Sequence, residues 1–212
     1  MKKKVLVVLL ILVFLYCIGG VVYSIFVKQI DNKEKKPVKS NDIVSIKDYP
    51  YEMNKKKSTK LFKDNFLELK ENLESSSVDY EAYAKSVAKL FASDFYTLSN
   101  KINKYDIGGV QFVFNEKQDN FKLKASETFY KYIEDNTDSN RQQELPLVSE
   151  VFVDSINEES YVIENTEYSG YLAKVKLVYE KDLGYDTDIL LTLVKSDNII
   201  SVVQIDKDDV NE

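Results

Sequence analysis

The 212-residue chain has no histidine, no tryptophan, a single cysteine and a single arginine, Arg141. Without histidine the commonest general base and the commonest metal ligand are missing, so any chemistry falls to Asp/Glu, Lys, Tyr or Ser alone. That points away from an enzyme, and no catalytic set, cofactor or metal site is expected. The lone Cys17 excludes an internal disulfide. It lies inside an apolar run, and lipid modification there would need a small residue just before it, where bulky Tyr16 stands. What the chain has in quantity is Lys, Asn, Ile and Tyr, a bias that AT-rich bacterial genomes impose. With 44% hydrophobic and 12% aromatic residues it is globular, and its length suits one domain plus an anchor.

Residues 5–27, VLVVLLILVFLYCIGGVVYSIFV, carry no charge. As a helix rising about 1.5 Å per residue they reach roughly 35 Å, enough to cross a bilayer. A cleaved signal peptide has a shorter apolar core, and here the best small-x-small site, Val22-Tyr23-Ser24, falls late in the run, so an uncleaved signal anchor is expected. Gly19-Gly20 permits close helix packing without forming a GxxxG pattern. Lys2, Lys3 and Lys4 form a basic head, residues 1–4, expected in the cytoplasm. The lysines that follow the span argue the other way, but long domains translocate largely regardless of charge. The expectation is a single-pass protein of the cell membrane with its C-terminal domain extracytoplasmic.

Charge divides the chain. Residues 1–60 hold 13 Lys against 5 acidic residues, a net of +8, whereas residues 61–212 hold 16 Lys and Arg against 30 acidic residues, a net of −14. The basic part suits anionic headgroups; the acidic domain is repelled from nucleic acid, and no nucleic-acid partner is expected. Residues 28–57 contain Pro37 and Pro50 and no sustained apolar period. They read as a charged tether with a short ordered piece around Ile43–Tyr51, ahead of a folded domain at 58–212.

Within the domain, Phe62, Phe66, Leu69 and Leu73 recur at spacings of four, three and four, which predicts a helix over about 58–74. Ser75-Ser76-Ser77 ends it, and Ser77 or Asp79 can cap the next. Tyr80, Ala84, Val87, Ala88, Phe91, Phe95, Leu98 and Ile102 share one stripe, predicting a long core helix over about 79–103. Asp94 lies about 70° from the centre of that stripe and has no basic neighbour at i±3 or i±4, so any partner must come from elsewhere. It is the candidate pocket-edge residue, a flanking carboxylate before it is a pocket acid, because no second chemical group can be named beside it.

Gly108-Gly109 precede VQFVF and fit a helix exit at positive φ leading into a strand. A phosphate loop needs the reverse order, strand, glycines, helix, with a Lys and Ser/Thr in place. A third, less regular helix is expected over about 120–135. Asn136, Asp138 and Asn140 sit at oxygen-donor spacing, but Arg141 stands where a calcium loop needs Gly and Leu147 where it needs Glu, so this is a polar turn. From Leu147 the period becomes two. Val148–Ile156, Tyr161–Glu164, Tyr171–Glu180, Asp188–Lys195 and Ile199–Asp206 read as strands, the last two joined by Ser196-Asp197-Asn198. Two or three helices followed by consecutive hairpins predict an α+β fold, helices on one face of a curved antiparallel sheet of about four to six strands.

The stretch YEAYAKSVAKLFASDFYTLSNKINKYDIGGVQFVF with the closing strands resembles, in element order over residues 58–206, the nuclear transport factor two-like cone fold. With one membrane helix ahead of it, the chain is similar to inner-membrane assembly proteins of type IV secretion and conjugation channels, and to anchored proteins of low-GC Gram-positive bacteria. The resemblance implies a non-enzymatic module that oligomerises and contacts other envelope subunits. Enzymes on this fold use a pocket His or Asp; here Asp94, Asp154 or a tyrosine would have to substitute. The expected function is thus an anchored protein-interaction or assembly module. The alternatives are a tethered domain binding a small ligand or peptide in the cone, and a tethered hydrolase or isomerase using Asp94.

Overall fold

A computed structural model describes residues 42–207 of the chain. The expected head, membrane span, Cys17 and most of the tether lie outside the described residues, and among those described no helix is long and apolar enough to cross a membrane. The described residues form one compact unit. Its first piece is a small hairpin, β1 (Ile43–Ser45) paired antiparallel with β2 (Glu52–Asn54). This is the short ordered piece of the tether, and it is packed into the body: Ile46, Tyr51 and Met53 are buried in the core.

Helix α1 (Lys60–Leu73) starts where the Thr59 side chain accepts from the Phe62 amide, 3.2 Å, and buries the four apolar residues of its spacing. Such a cap satisfies one of the orphan amides of the first turn. Helix α2 (Tyr80–Phe95) is capped by Asp79, whose carboxylate accepts from Ala82 N at 3.0 Å. It ends at Phe95, eight residues before the end its stripe predicts. The reason is tertiary: the Phe95 carbonyl, which the Ser99 amide would take in a longer helix, accepts the Tyr130 hydroxyl at 2.6 Å, while Leu98 and Ser99 donate to the Pro146 carbonyl. Leu98 is still buried, but Ile102 is 45% exposed.

The segment VQFVF is not a strand. Residues Val110–Phe112 form a single 3-10 turn, and only Val113 makes a lone parallel bridge, to Val202. Helix α3 (Gln118–Glu127) is shorter than expected. After it a turn, with Tyr130 N donating to Ala125 O, buries Tyr130 and Ile133.

The sheet is a four-stranded antiparallel meander, β3 (Val148–Ile163), β4 (Thr166–Tyr179), β5 (Asp188–Ser196) and β6 (Ile199–Lys207), in chain order. The segments Val148–Ile156 and Tyr161–Glu164, expected to supply a strand or two, belong to one strand of 16 residues with register shifts near Glu150 and Ser155. Its hairpin with β4 turns on Glu164 and Asn165, both at positive φ (49° and 68°), the twist that two-residue hairpin loops favour. The three helices pack against the sheet, with α2 at the centre. The α+β class and the helices-on-antiparallel-sheet architecture are therefore as the sequence predicts.

Candidate functional site

Asp94 occupies the last turn of α2, at the wall of a cleft of about 450 Å³ that lies between the hairpin, the start of α1 and the end of α2. Thr59, Asn100, Lys101, Asp106 and Gln111 also face this cleft. Gln111 holds the hairpin in place by exchanging two hydrogen bonds with the Glu52 backbone, at 2.8 and 3.1 Å.

The partner that Asp94 lacks on its own helix is Lys101. Its Nζ donates to Asp94 Oδ1 at 2.5 Å, and the Gly109 amide donates to Oδ2 at 2.7 Å. The Lys101 side chain is 7% exposed and that of Asp94 27%, so the ammonium is the more desolvated of the two and depends on the carboxylate. Gly108 and Gly109 allow this closure. A Cβ on Gly108 would collide with the Asp94 carbonyl and stand 2.7 Å from Lys101 Nζ, while Gly109 holds φ +74° against the Phe91 ring. Gly109 supplies the positive φ expected at the pair, but it leads into a turn whose amide binds a carboxylate and not into a strand.

Around this staple stand side chains that the sequence pattern did not single out as site residues. Tyr130 accepts from Gly108 N at 3.1 Å and donates to Phe95 O, with burial pushing its phenol well above the usual tyrosine range. The guanidinium of Arg141 spans three carbonyls, those of Ser99, Lys101 and Glu134, at 2.8 to 3.2 Å. The only arginine of the chain is thus a clamp on the loop that carries Lys101. Its uniqueness was the one available signal, and it said nothing about geometry. The Asn136 side chain caps the polar turn by accepting from Arg141 N at 3.0 Å, and among the described residues no three His, Cys, Asp or Glu groups stand close enough to hold a metal ion.

Asp154 is exposed on β3 and takes no part in the cleft. The space between helices and sheet is occupied by the protein's own rings. Tyr51 stacks on Phe112 at 5.3 Å and Phe91 on Phe95 at 5.4 Å, and Phe95 stacks in turn on Phe129. Tyr51, Tyr83 and Ile200 close a buried hydrogen-bonded triangle: Tyr51 donates to the Ile200 carbonyl at 2.8 Å, Tyr83 to the Tyr51 oxygen at 2.6 Å, and the Ile200 amide to Tyr83 at 3.2 Å. Burial raises both phenols, that of Tyr83 to about 12. These tyrosines therefore act as protonated donors that fix β6 to α2 and the hairpin.

Chemically the arrangement is a closed set. Each oxygen of Asp94 already accepts from a donor of its own chain, and the adjacent ammonium is paired with it. The geometry does what a structural staple does, tying the end of α2 to the loop that follows. The chain matches no protein-family model, no curated protein and no solved structure. The cone-fold resemblance therefore stands on the order of elements alone.

Proposed function

We propose that the chain is a membrane-anchored, extracytoplasmic interaction and assembly module without catalytic chemistry, of the kind that builds secretion or conjugation channels. The observation that carries this reading is the long hairpin of β3 and β4. Strand β5 pairs with β4 only as far as Gly170, whereas β3 and β4 continue paired to Ile163 and Thr166. Residues 160–169 thus form a two-stranded arm that extends about 14 Å past its neighbour strand. Strand β3 is also an edge of the sheet. Projecting ribbons and long unpaired edges are surfaces that other chains dock on.

The alternatives draw less support. A ligand held in the cone would have to displace buried rings such as Phe91, Tyr51 and Phe112. An Asp94-based hydrolase would have to release the carboxylate from Lys101 and Gly109. The test is solubilisation of the full-length protein from its own membrane in mild detergent, followed by mass measurement and identification of what remains bound. Self-association or stoichiometric envelope subunits are expected; a protein strictly monomeric at all concentrations and alone in the eluate would overturn the reading.

A further inference from the structure

Two surface patches of the domain carry opposite, unpaired charge and matching apolar centres. The first is a groove of about 350 Å³ between α3 and the β6 edge. Its floor is apolar, with Phe95, Phe121 and Val202, and its rim carries Lys117 and Lys124 and no carboxylate. The second is the arm. From Ile156 to Ala173 the chain has Glu158, Glu159, Glu164 and Glu167 and no Lys or Arg. Val162 and Glu167 are cross-strand partners and so share one face of the ribbon. Val162, at 72% exposed, is among the most exposed large apolar side chains described.

Among the described residues neither the two lysines nor Glu164 and Glu167 have an ion-pair partner. The opposite face of the arm, with Tyr161 and Tyr168, leans on its own chain, where the Tyr168 ring meets Phe114 edge-on at 5.8 Å. The Val162–Glu167 face therefore points away from Phe114 and from α3 just beyond it. Val162 and its cross-strand partner Glu167 thus face away from the groove of their own chain, and Glu164 stands in the turn at the tip of the arm.

We infer that the arm of one copy docks in the α3–β6 groove of a second copy, Val162 on the apolar floor and Glu164 and Glu167 against Lys117 and Lys124. Exchanged reciprocally, this contact closes a two-fold dimer. The inference rests on the assembly reading above and names its partner as this same chain. Opposed charges at the rim set register and exclude wrong pairings, while the desolvated apolar centre holds the contact.

The test is a charge swap in the full-length protein in mild detergent, read by sedimentation. The double variant Lys117→Glu/Lys124→Glu and the double variant Glu164→Lys/Glu167→Lys should each weaken self-association by about tenfold or more, because like charges then face each other. All four sites are on the surface, so circular dichroism should show both variants folded. Mixing the two variants should restore association, since each then offers the other a complementary arm and groove. If the wild type associates and neither variant weakens it, the docking surface is wrong while the assembly reading stands. If the wild type is monomeric, the dimer fails, and the assembly reading fails with it only if no envelope subunit remains bound. Loss of binding to anionic vesicles in the groove variant, with association unchanged, would overturn the dimer in favour of a lipid surface.

Discussion

The pair of Asp94 and Lys101 makes an asymmetric prediction. Replacing Asp94 with Ala strands an ammonium whose side chain is only 7% exposed and leaves the Gly109 amide without its acceptor. Replacing Lys101 with Met strands a carboxylate that is 27% exposed and that keeps the Gly109 amide. Removing one partner of a fully buried ion pair costs about 3–5 kcal/mol, and a lost hydrogen bond to a charged group about 1.5–3 kcal/mol. With Asp94 partly in water, Asp94→Ala should cost about 2–3 kcal/mol, and Lys101→Met about 1 kcal/mol, since an apolar side chain of similar length refills the site. For a domain of this size that first value lowers the melting temperature by about 5–10 °C. The double variant should be more stable than Asp94→Ala alone, a coupling of about 1–2 kcal/mol. Urea unfolding followed by circular dichroism, on all four proteins of the cycle, measures each quantity. If Lys101→Met costs as much as Asp94→Ala, or if the two changes simply add, Asp94 and Lys101 do not form this staple.

Three further outcomes follow from the same geometry. Tyr51→Phe keeps the ring stack on Phe112 but takes from the Ile200 carbonyl its Tyr51 donor and from the Tyr83 hydroxyl its acceptor, leaving Tyr83 only the bond from the Ile200 amide, a loss of about 1–3 kcal/mol by the same unfolding assay; an unchanged midpoint would show that the triangle is not formed. The buried phenols of Tyr51, Tyr83 and Tyr130 have folded values above the unfolded tyrosine value near 10, so the folded state holds protons that the unfolded state releases. Their stabilising effect is complete below pH 10 and is lost as pH rises through the folded values, for Tyr83 about 12. Ultraviolet phenolate titration should find these rings silent until the protein unfolds, and their early ionisation would contradict the burial. Arg141→Lys should release the Ser99–Lys101 loop, because an ammonium cannot span three carbonyls, and hydrogen exchange of those amides should quicken by about tenfold relative to α2.

How far the sequence could be read depended on the range of the interactions. The α1 face, the Asp79 cap and the two closing strands were legible because each is set by neighbours within a turn or along one strand. The stripe through Leu98 and Ile102 misled for a physical reason: apolar periodicity continued past the point where Phe95 gives its carbonyl to Tyr130, 35 residues on. In an unbroken helix Lys101 would stand two turns from Asp94, about 10 Å along the axis. The broken helix brings the two into contact. Likewise the apolar pattern of Val148–Ile163 is interrupted by the polar run Asn157-Glu158-Glu159-Ser160, and continuous pairing of that run with β4 makes the segment one strand.

By itself the sequence determined the α+β class, the charge division and the edge position of Asp94, since composition and periodicity are properties of the chain. Only the tertiary structure decided what Asp94 binds, why Gly108 and Gly109 are glycines, and that Arg141 clamps a loop. Each of those depends on groups far apart in sequence, and no local propensity encodes their meeting. The same is true of the arm: alternation predicts a hairpin, but only the point at which β5 stops pairing shows how far that hairpin runs past its neighbour strand.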